Sequence, residues 1–437
     1  MKKQTRNKLF AVIAIILIAT LTVMPVSASG GAYSRVADTT LDKTTFTKDF
    51  KIRNDCNVPA SEFTFTVVPG AAIQYDSTKP DLYPVYAGII PNLVVTPKTG
   101  TAVTADAEDT SVAAVLEYAS KTKNEAIAGE DDITYGTYTG ENYYKASKDV
   151  ELDFTSVNFT EPGIYRYVIT ESCTDTTISV DSTPRTLDVY VEDVTSDAGN
   201  KLKVTGYVMY QGLVSSAPNK SGDDITTKSK IFTNTFPTAS LTFGKEVTGN
   251  QGSLDKYFDF TLTLTGPLGA KLNVDLSKAH ATTVPNAATS CFTSAVTQVS
   301  SITLDNDDGS GKGTKTVHFY LQDGQYISIT GLAEGMGYEV SENAEEYTSA
   351  DGISDSLSGI DKNGDGNKDA LIDPKSGEIT KVGDEIKSVY TGFTNTKEGV
   401  IPTGVILSVA PWAIAGVVIL AGVIFFAIRS RRKFEEE

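Results

Sequence analysis

Six polar residues stand where a strand pattern would place them among apolar neighbours. Side chains along a strand alternate between its two faces, so residues two apart share a side. By that parity Lys48 lies with Phe46, Phe50 and Ile52, and Lys245 with Leu241, Phe243 and Val247. Asn234 lies with Phe232 and Phe236, and Asn395 with Val389 and Phe393. Glu171 shares a face with Tyr165, Tyr167 and Ile169, and Glu342 with Tyr338 and Val340. An unpaired charge is too costly to keep in such surroundings. Two plain arrangements would meet that objection. One is a buried, hydrogen-bonded ion pair, which is seldom a net gain over apolar packing. The other puts these residues at strand ends that reach water. A third arrangement removes the charges. Burial lowers the pKa of a lysine and raises that of a glutamate. The neutral amine is a nucleophile, and the protonated carboxyl can hydrogen-bond a carboxamide and move protons. Holding amine and carboxamide together supplies a high effective molarity. Lys48 would then attack Asn234, promoted by Glu171, and Lys245 would attack Asn395, promoted by Glu342. Each reaction expels ammonia and leaves a Lys–Asn isopeptide bond. Such a bond closes a loop of almost a whole domain and constrains the unfolded chain as a long-loop disulfide does.

The elements that must position these groups are strands. Short alternating runs bounded by Gly, Pro, Asp and Asn recur, at Phe63 to Val67, Ile164 to Thr170, Leu187 to Val191 and Leu202 to Tyr210. Further runs are Phe258 to Leu264, Thr316 to Leu321, Tyr326 to Ile329 and Tyr338 to Val340. One helix is expected over Ser111 to Ser120, inside a Tyr- and Gly-rich insertion at about 71–148. The strands repeat as a set. Phe46-Thr47-Lys48, Phe63-Thr64-Phe65-Thr66, Tyr165 to Glu171 and Phe232-Thr233-Asn234-Thr235 are matched by Phe243-Gly244-Lys245, Phe258-Asp259-Phe260-Thr261, Tyr338 to Glu342 and Phe393-Thr394-Asn395-Thr396. The expectation is an all-β chain of two tandem immunoglobulin-like β-sandwich domains, at 29–236 and 237–398.

The two ends of the chain place it outside the cell. Lys2, Lys3, Arg6 and Lys8, the apolar run Leu9 to Met24 and the small-residue site Val26-Ser27-Ala28 read as a signal peptide over 1–28; an uncleaved anchor is the alternative. At 399–437 a short recognition peptide, an apolar run from Val405 to Ile428 long enough to span a membrane, and the basic cluster Arg429-Ser430-Arg431-Arg432-Lys433 follow one another. The net charge of −17 argues against a nucleic-acid partner. Three cysteines, Cys56, Cys173 and Cys291, cannot make a disulfide framework, although Cys56 and Cys173 could pair. His280 and His318 stand alone, and no catalytic triad or phosphate-binding loop is present, so turnover chemistry is not expected. The cross-linking reaction would be autocatalytic and single-turnover.

These motifs resemble the backbone pilins of Gram-positive bacteria, specifically the two-domain streptococcal type with isopeptide-linkage (Cna-B-type) domains. The resemblance rests on the lysine-bearing first strands, the Tyr165–Glu171 and Tyr338–Glu342 strands, the two Phe-Thr-Asn strands, and Ile401-Pro402-Thr403-Gly404-Val405 followed by Ser408-Val409-Ala410-Pro411. It implies a PTG-type sortase signal cut between Thr403 and Gly404, with the Thr403 carbonyl passing to the sortase and then to an amine. It implies a pilus shaft subunit joined to neighbouring pilin subunits and then to peptidoglycan, extracellular and wall-anchored, in the membrane only before sorting. In that family a lysine before the last strand of the first domain accepts the next subunit. No lysine stands at the matching offset from Asn234; Lys228 is nearest, and Lys230 and Lys220 are alternatives, each equally readable as a solvated surface residue. A monomeric wall-anchored adhesin that contacts a host surface ligand through the insertion is the competing reading.

No cofactor is required by this chemistry. The run Asp361, Asn363, Asp365 and Asp369 has the alternating oxygens and Gly366 turn of a calcium loop, but Ile372 stands at the twelfth position where an acid is expected. An acidic turn between strands is the plainer reading, and Ca2+ there would stiffen a loop.

Overall fold

The structure, a computed structural model, describes residues 33–98, 100–121, 134–137, 143–194, 200–219, 227–279, 283–284, 296–355, 358–362, 365–382, 385–399 and 415–425. The principal strands before residue 237 are β1 (Lys43–Arg53), β2 (Ser61–Pro69), β3 (Val94–Pro97), β4 (Val112–Tyr118), β5 (Tyr143–Asp153), β6 (Gly163–Cys173), β7 (Arg185–Asp193), β8 (Lys201–Gln211) and β9 (Ile231–Phe236). After it come β10 (Ala239–Thr248), β11 (Phe258–Pro267), β12 (Lys271–Asp275), β13 (Lys312–Leu321), β14 (Tyr326–Leu332), β15 (Gly337–Asn343) and β16 (Val389–Thr396).

Alternation makes these strands. In β2 the side chains of Phe63, Phe65 and Val67 are buried while Thr64 and Thr66 are half-exposed; in β11 the buried set is Phe258, Phe260, Leu262 and Leu264. Each sandwich has one sheet built on the first strand and a facing sheet built on the second. In the first sandwich the orders are β9-β1-β5-β3 and β8-β7-β6-β2-β4; in the second they are β12-β14-β10-β16 and β13-β11-β15. The last strand runs parallel to the first in both, β9 beside β1 and β16 beside β10. The other pairs in these orders are antiparallel.

The fold is all-β, as the sequence implied, and two expectations within it need correction. Ser111 to Ser120 is not a helix: Val112–Tyr118 is strand β4, with Val112, Ala114, Leu116 and Tyr118 buried and Ala113, Val115 and Glu117 exposed. Its alanines raise helix propensity, but burial follows a period of two, and cross-strand packing against β2 decides the outcome. Nor is 71–148 an appendage. It carries β3, β4 and the first part of β5, whose pairings match those of β12, β13 and β14 in the second sandwich. Between β6 and β9 the first sandwich also carries the long strands β7 and β8, which extend the sheet.

Where β6 meets β7 the sheet is covered on its outer face as well. Arg166 in β6 and Asp188 in β7 point away from the core yet are 1% and 0% exposed. They form a bidentate ion pair, Nε to Oδ1 at 2.7 Å and Nη2 to Oδ2 at 2.8 Å. Arg166 Nη1 also donates to the Val214 and Ser216 carbonyls, tying down the chain after β8. Two residues separate β9 from β10, and the sandwiches meet through polar contacts. Asn57 Nδ2 donates to the Lys271 carbonyl at 3.0 Å, and Asn273 Nδ2 and Thr330 Oγ1 both donate to the Asp55 carbonyl at 2.6 Å.

Near the C-terminus, 415–425 is helical and exposed. No helix among the described residues is long and apolar enough to cross a membrane. The rest of the apolar run, with Thr403 and Gly404, lies outside the described residues, as does the segment read as a signal peptide.

Candidate functional site

Each sandwich brings its lysine, glutamate and asparagine to one point in the core. Parallel pairing does the first part. Lys48 is opposite Phe232, two residues before Asn234, and Lys245 is opposite Phe393, two residues before Asn395. Lysine and asparagine therefore lie on the same face of adjacent strands, one pleat apart. The facing sheet supplies the acid: Glu171 sits opposite Phe65, and Glu342 opposite Phe260. Lys48 and Asn234 are 0% exposed, Lys245 1% and Asn395 0%; the Glu171 and Glu342 side chains are equally sealed, at 0% and 1%.

One carboxylate oxygen gathers both reactants. In the first sandwich Lys48 Nζ lies 2.6 Å from Glu171 Oε1, and Asn234 Nδ2 donates to the same Oε1 at 2.5 Å. In the second, Lys245 Nζ and Asn395 Nδ2 are each 2.9 Å from Glu342 Oε1. Lys48 Nζ makes no well-directed hydrogen bond, and Oε2 of each glutamate is buried without a partner. The two nitrogens of each site are thus bridged by a single oxygen that can pass a proton between them.

Aromatic rings wall off the site. Phe46, Phe65 and Phe232 pack together with ring centroids 4.9 to 5.5 Å apart, and Phe260 lies 5.6 Å from Phe243 and 5.2 Å from Phe393. Lys48 Nζ is 4.4 Å from the Phe63 ring centroid, and Lys245 Nζ is 4.5 Å from that of Phe258. Desolvation dominates the electrostatics. It pulls both amines down to about 8, against the attraction of the facing glutamate, and it raises both glutamates despite the lysine beside each. With a pKa near 8, about a tenth of each amine is neutral at neutral pH.

Two residues that sequence reasoning passed over also belong here. Asn234 Oδ1 accepts the backbone N–H of Asp181 at 2.7 Å, and Arg185 holds Asp181. The parity test would have flagged Arg185, which shares a face with Leu187, Val189 and Val191. A backbone N–H carries no such signal.

The remaining candidates lie elsewhere. Lys228 is exposed and bridges to Tyr210, and Lys230 is exposed with its carbonyl accepting the Thr47 N–H; Lys220 lies outside the described residues. Cys56 and Cys173 are free thiols, which corrects the disulfide considered between them; Cys291 lies outside the described residues. Cys56 is buried near the junction, 3.1 Å from Thr238 Oγ1, and burial pushes its thiol up to about 12. In the acidic turn, the Asp361 carboxylate accepts the N–H groups of Asp365 and Gly366, the Asp365 carboxylate accepts that of Asn367, and the Asp369 carboxylate accepts that of Lys362. No group of three or more acidic, His or Cys residues converges to hold a metal among the described residues, and Asn363 lies outside them.

Comparisons with known proteins agree with the motifs. Residues 239–397, the span from β10 to just past β16, match a family described as "Domain of unknown function (DUF7601)". The chain is 28% identical over 311 residues to a protein named Pilin from Streptococcus pyogenes serotype M1, covering 70% of this chain and 78% of that one. The crystal structure of the major pilin from Streptococcus pyogenes is 21% identical with a TM-score of 0.45, covering 82% of this chain and 99% of that one. A second major pilin protein of the same species is 20% identical with a TM-score of 0.45, over 82% and 98% of the two chains. The sequence likeness to that Pilin thus covers 70% of the chain.

Proposed function

We propose that this chain is an exported pilus shaft subunit, braced by one Lys–Asn isopeptide bond in each sandwich and joined through a sortase to neighbouring subunits and to the cell wall. The observation that carries the reading is the duplicated site, in which a buried glutamate oxygen touches both the lysine amine and the asparagine amide. Similarity to a streptococcal Pilin supports the pilus role.

The chemistry follows from the geometry. Lys48 and Glu171, or Lys245 and Glu342, exchange a proton across their contact and become neutral. The amine attacks the Asn Cγ, the glutamate gives its proton to the Asn nitrogen and takes one from the attacking nitrogen, and ammonia leaves. The chain acts once on itself and turns over no substrate. The sortase would act at Thr403, and Lys228 is the foremost acceptor for the next subunit, with Lys230 and Lys220 behind it.

Intact mass tests the core of this reading. The folded ectodomain should weigh two ammonias less than its sequence, and Glu171→Ala and Glu342→Ala should each restore one. A wild-type mass equal to the sequence mass rejects it. Polymerisation is tested separately by a sortase-dependent ladder of high-mass species in wall extracts. Its absence would leave a singly anchored protein.

A further inference from the structure

The two sites are alike in their triads and unlike at the carboxamide oxygen. Asn234 Oδ1 accepts the Asp181 N–H at 2.7 Å. Asn395 Oδ1 is buried and has no hydrogen-bond partner among the described residues. A backbone N–H can only donate, so it fixes the Asn234 carboxamide with oxygen toward Asp181 and nitrogen toward Glu171. Asp181 belongs to the connection between β6 and β7. Arg185, 1% exposed, holds that connection in place. Its Nη2 donates to Asp181 Oδ2 at 2.7 Å and to the Ile231 carbonyl, and its Nη1 donates to the Thr183 carbonyl at 2.6 Å. Ile231 opens β9, so the guanidinium joins the Asp181 turn to the strand that carries Asn234.

We propose that the Asp181 N–H is the oxyanion donor for the first cross-link, that Arg185 is its positioning residue, and that the second cross-link closes without such a donor. The proposal rests on the cross-link reading above. The lone pair of neutral Lys48 Nζ forms a bond to Asn234 Cγ, and the carbonyl π pair moves onto Oδ1, where the Asp181 N–H meets the developing charge. Glu171, protonated in the exchange that neutralised the amine, delivers its proton to Nδ2 and takes one from Nζ in return. The carbonyl re-forms, the Cγ–Nδ2 bond breaks, and ammonia departs. In this orientation Glu171 serves the leaving nitrogen, and the backbone serves the oxygen. A donor already 2.7 Å from that oxygen needs no rearrangement as charge develops.

The test follows both bonds in one chain. Full-length chains released from cell-free synthesis are quenched over time and digested, and the two cross-linked peptides are quantified by mass. In the wild type the first bond should form about a hundredfold faster than the second, the effect of one oxyanion donor. Asp181→Pro, which deletes the N–H, should slow the first bond by about the same factor and leave the second unchanged. Asp181→Asn keeps the N–H and an acceptor for Arg185 and should restore the wild-type rate. Arg185→Ala should slow only the first. Equal wild-type rates overturn the proposal, and so does a first bond that forms at the wild-type rate in Asp181→Pro. Should that variant misfold, the wild-type comparison decides alone. Loss of no ammonia from either sandwich would instead defeat the underlying cross-link reading.

Discussion

Asn395→Ala isolates what the second cross-link does for stability. The substitution removes the electrophile but leaves Lys245 and Glu342 paired at 2.9 Å, so no buried charge is stranded. The bond from Lys245 to Asn395 would close a loop of roughly 150 residues, which in the chain-entropy account contributes about 5 kcal/mol. For a domain of this size each kcal/mol moves the melting midpoint by about 2–4 °C, so the second sandwich should melt roughly 10–20 °C lower. Calorimetry of the ectodomain gives the midpoint, and intact mass on the same sample shows one ammonia retained. A shift no larger than the ~3 °C expected of a single hydrogen bond would refute the reasoning.

The same variant should reveal the buried amine as a titration. Folded Lys245 has a pKa of about 8 against an ordinary 10.5, so between those values the unfolded chain binds more protons. Stability of Asn395→Ala should therefore rise as pH increases through that window, by up to about 3 kcal/mol, whereas the wild type, with an amide there, should show no such rise. Urea unfolding across the window reads this, and a flat variant curve counts against it. Arg166→Ala leaves Asp188 buried and unpaired and should cost about 3–5 kcal/mol in denaturant unfolding; Arg166→Met with Asp188→Leu should recover most of it, and a single-mutant cost under about 1 kcal/mol contradicts the account. Asn57→Ala with Asn273→Ala removes two bonds across the junction, about 1 kcal/mol each. The two sandwiches should then unfold in more widely separated calorimetric steps, and an unchanged thermogram would show that the junction is held otherwise.

Parity along strands made much of the site legible. It turned Lys48, Lys245, Asn234 and Asn395 inward, and the structure buries each of them. It also turned Glu171 and Glu342 toward them, and the structure puts each in contact with both partners. Parity could not show that first and last strands run parallel, because that depends on pairing at a separation of well over a hundred residues. The same test, applied to Val112 through Tyr118, would have shown a strand; the alanines there pull toward helix when weighed by propensity alone. Reading 71–148 as an insertion failed for a related reason. Only four strands per copy carried matching motifs, and β3, β4 and β5 match β12, β13 and β14 in pairing without matching in residues. Asp181 was beyond reach because its contribution is a main-chain hydrogen, and any residue but proline brings one.

The parallel alignment of β1 with β9, and of β10 with β16, also sets how the molecule answers a pull on its two ends. The backbone enters at one end of the first strand and leaves at the opposite end of the last. Traction along the chain then makes the neighbouring strands slide past one another, and their rungs resist together instead of parting one at a time like a zipper. The covalent rung proposed at mid-strand would stop that sliding almost at once. With both rungs closed, only the stretches outside them would remain free to pay out length, so the ectodomain should behave as a short, nearly inextensible link.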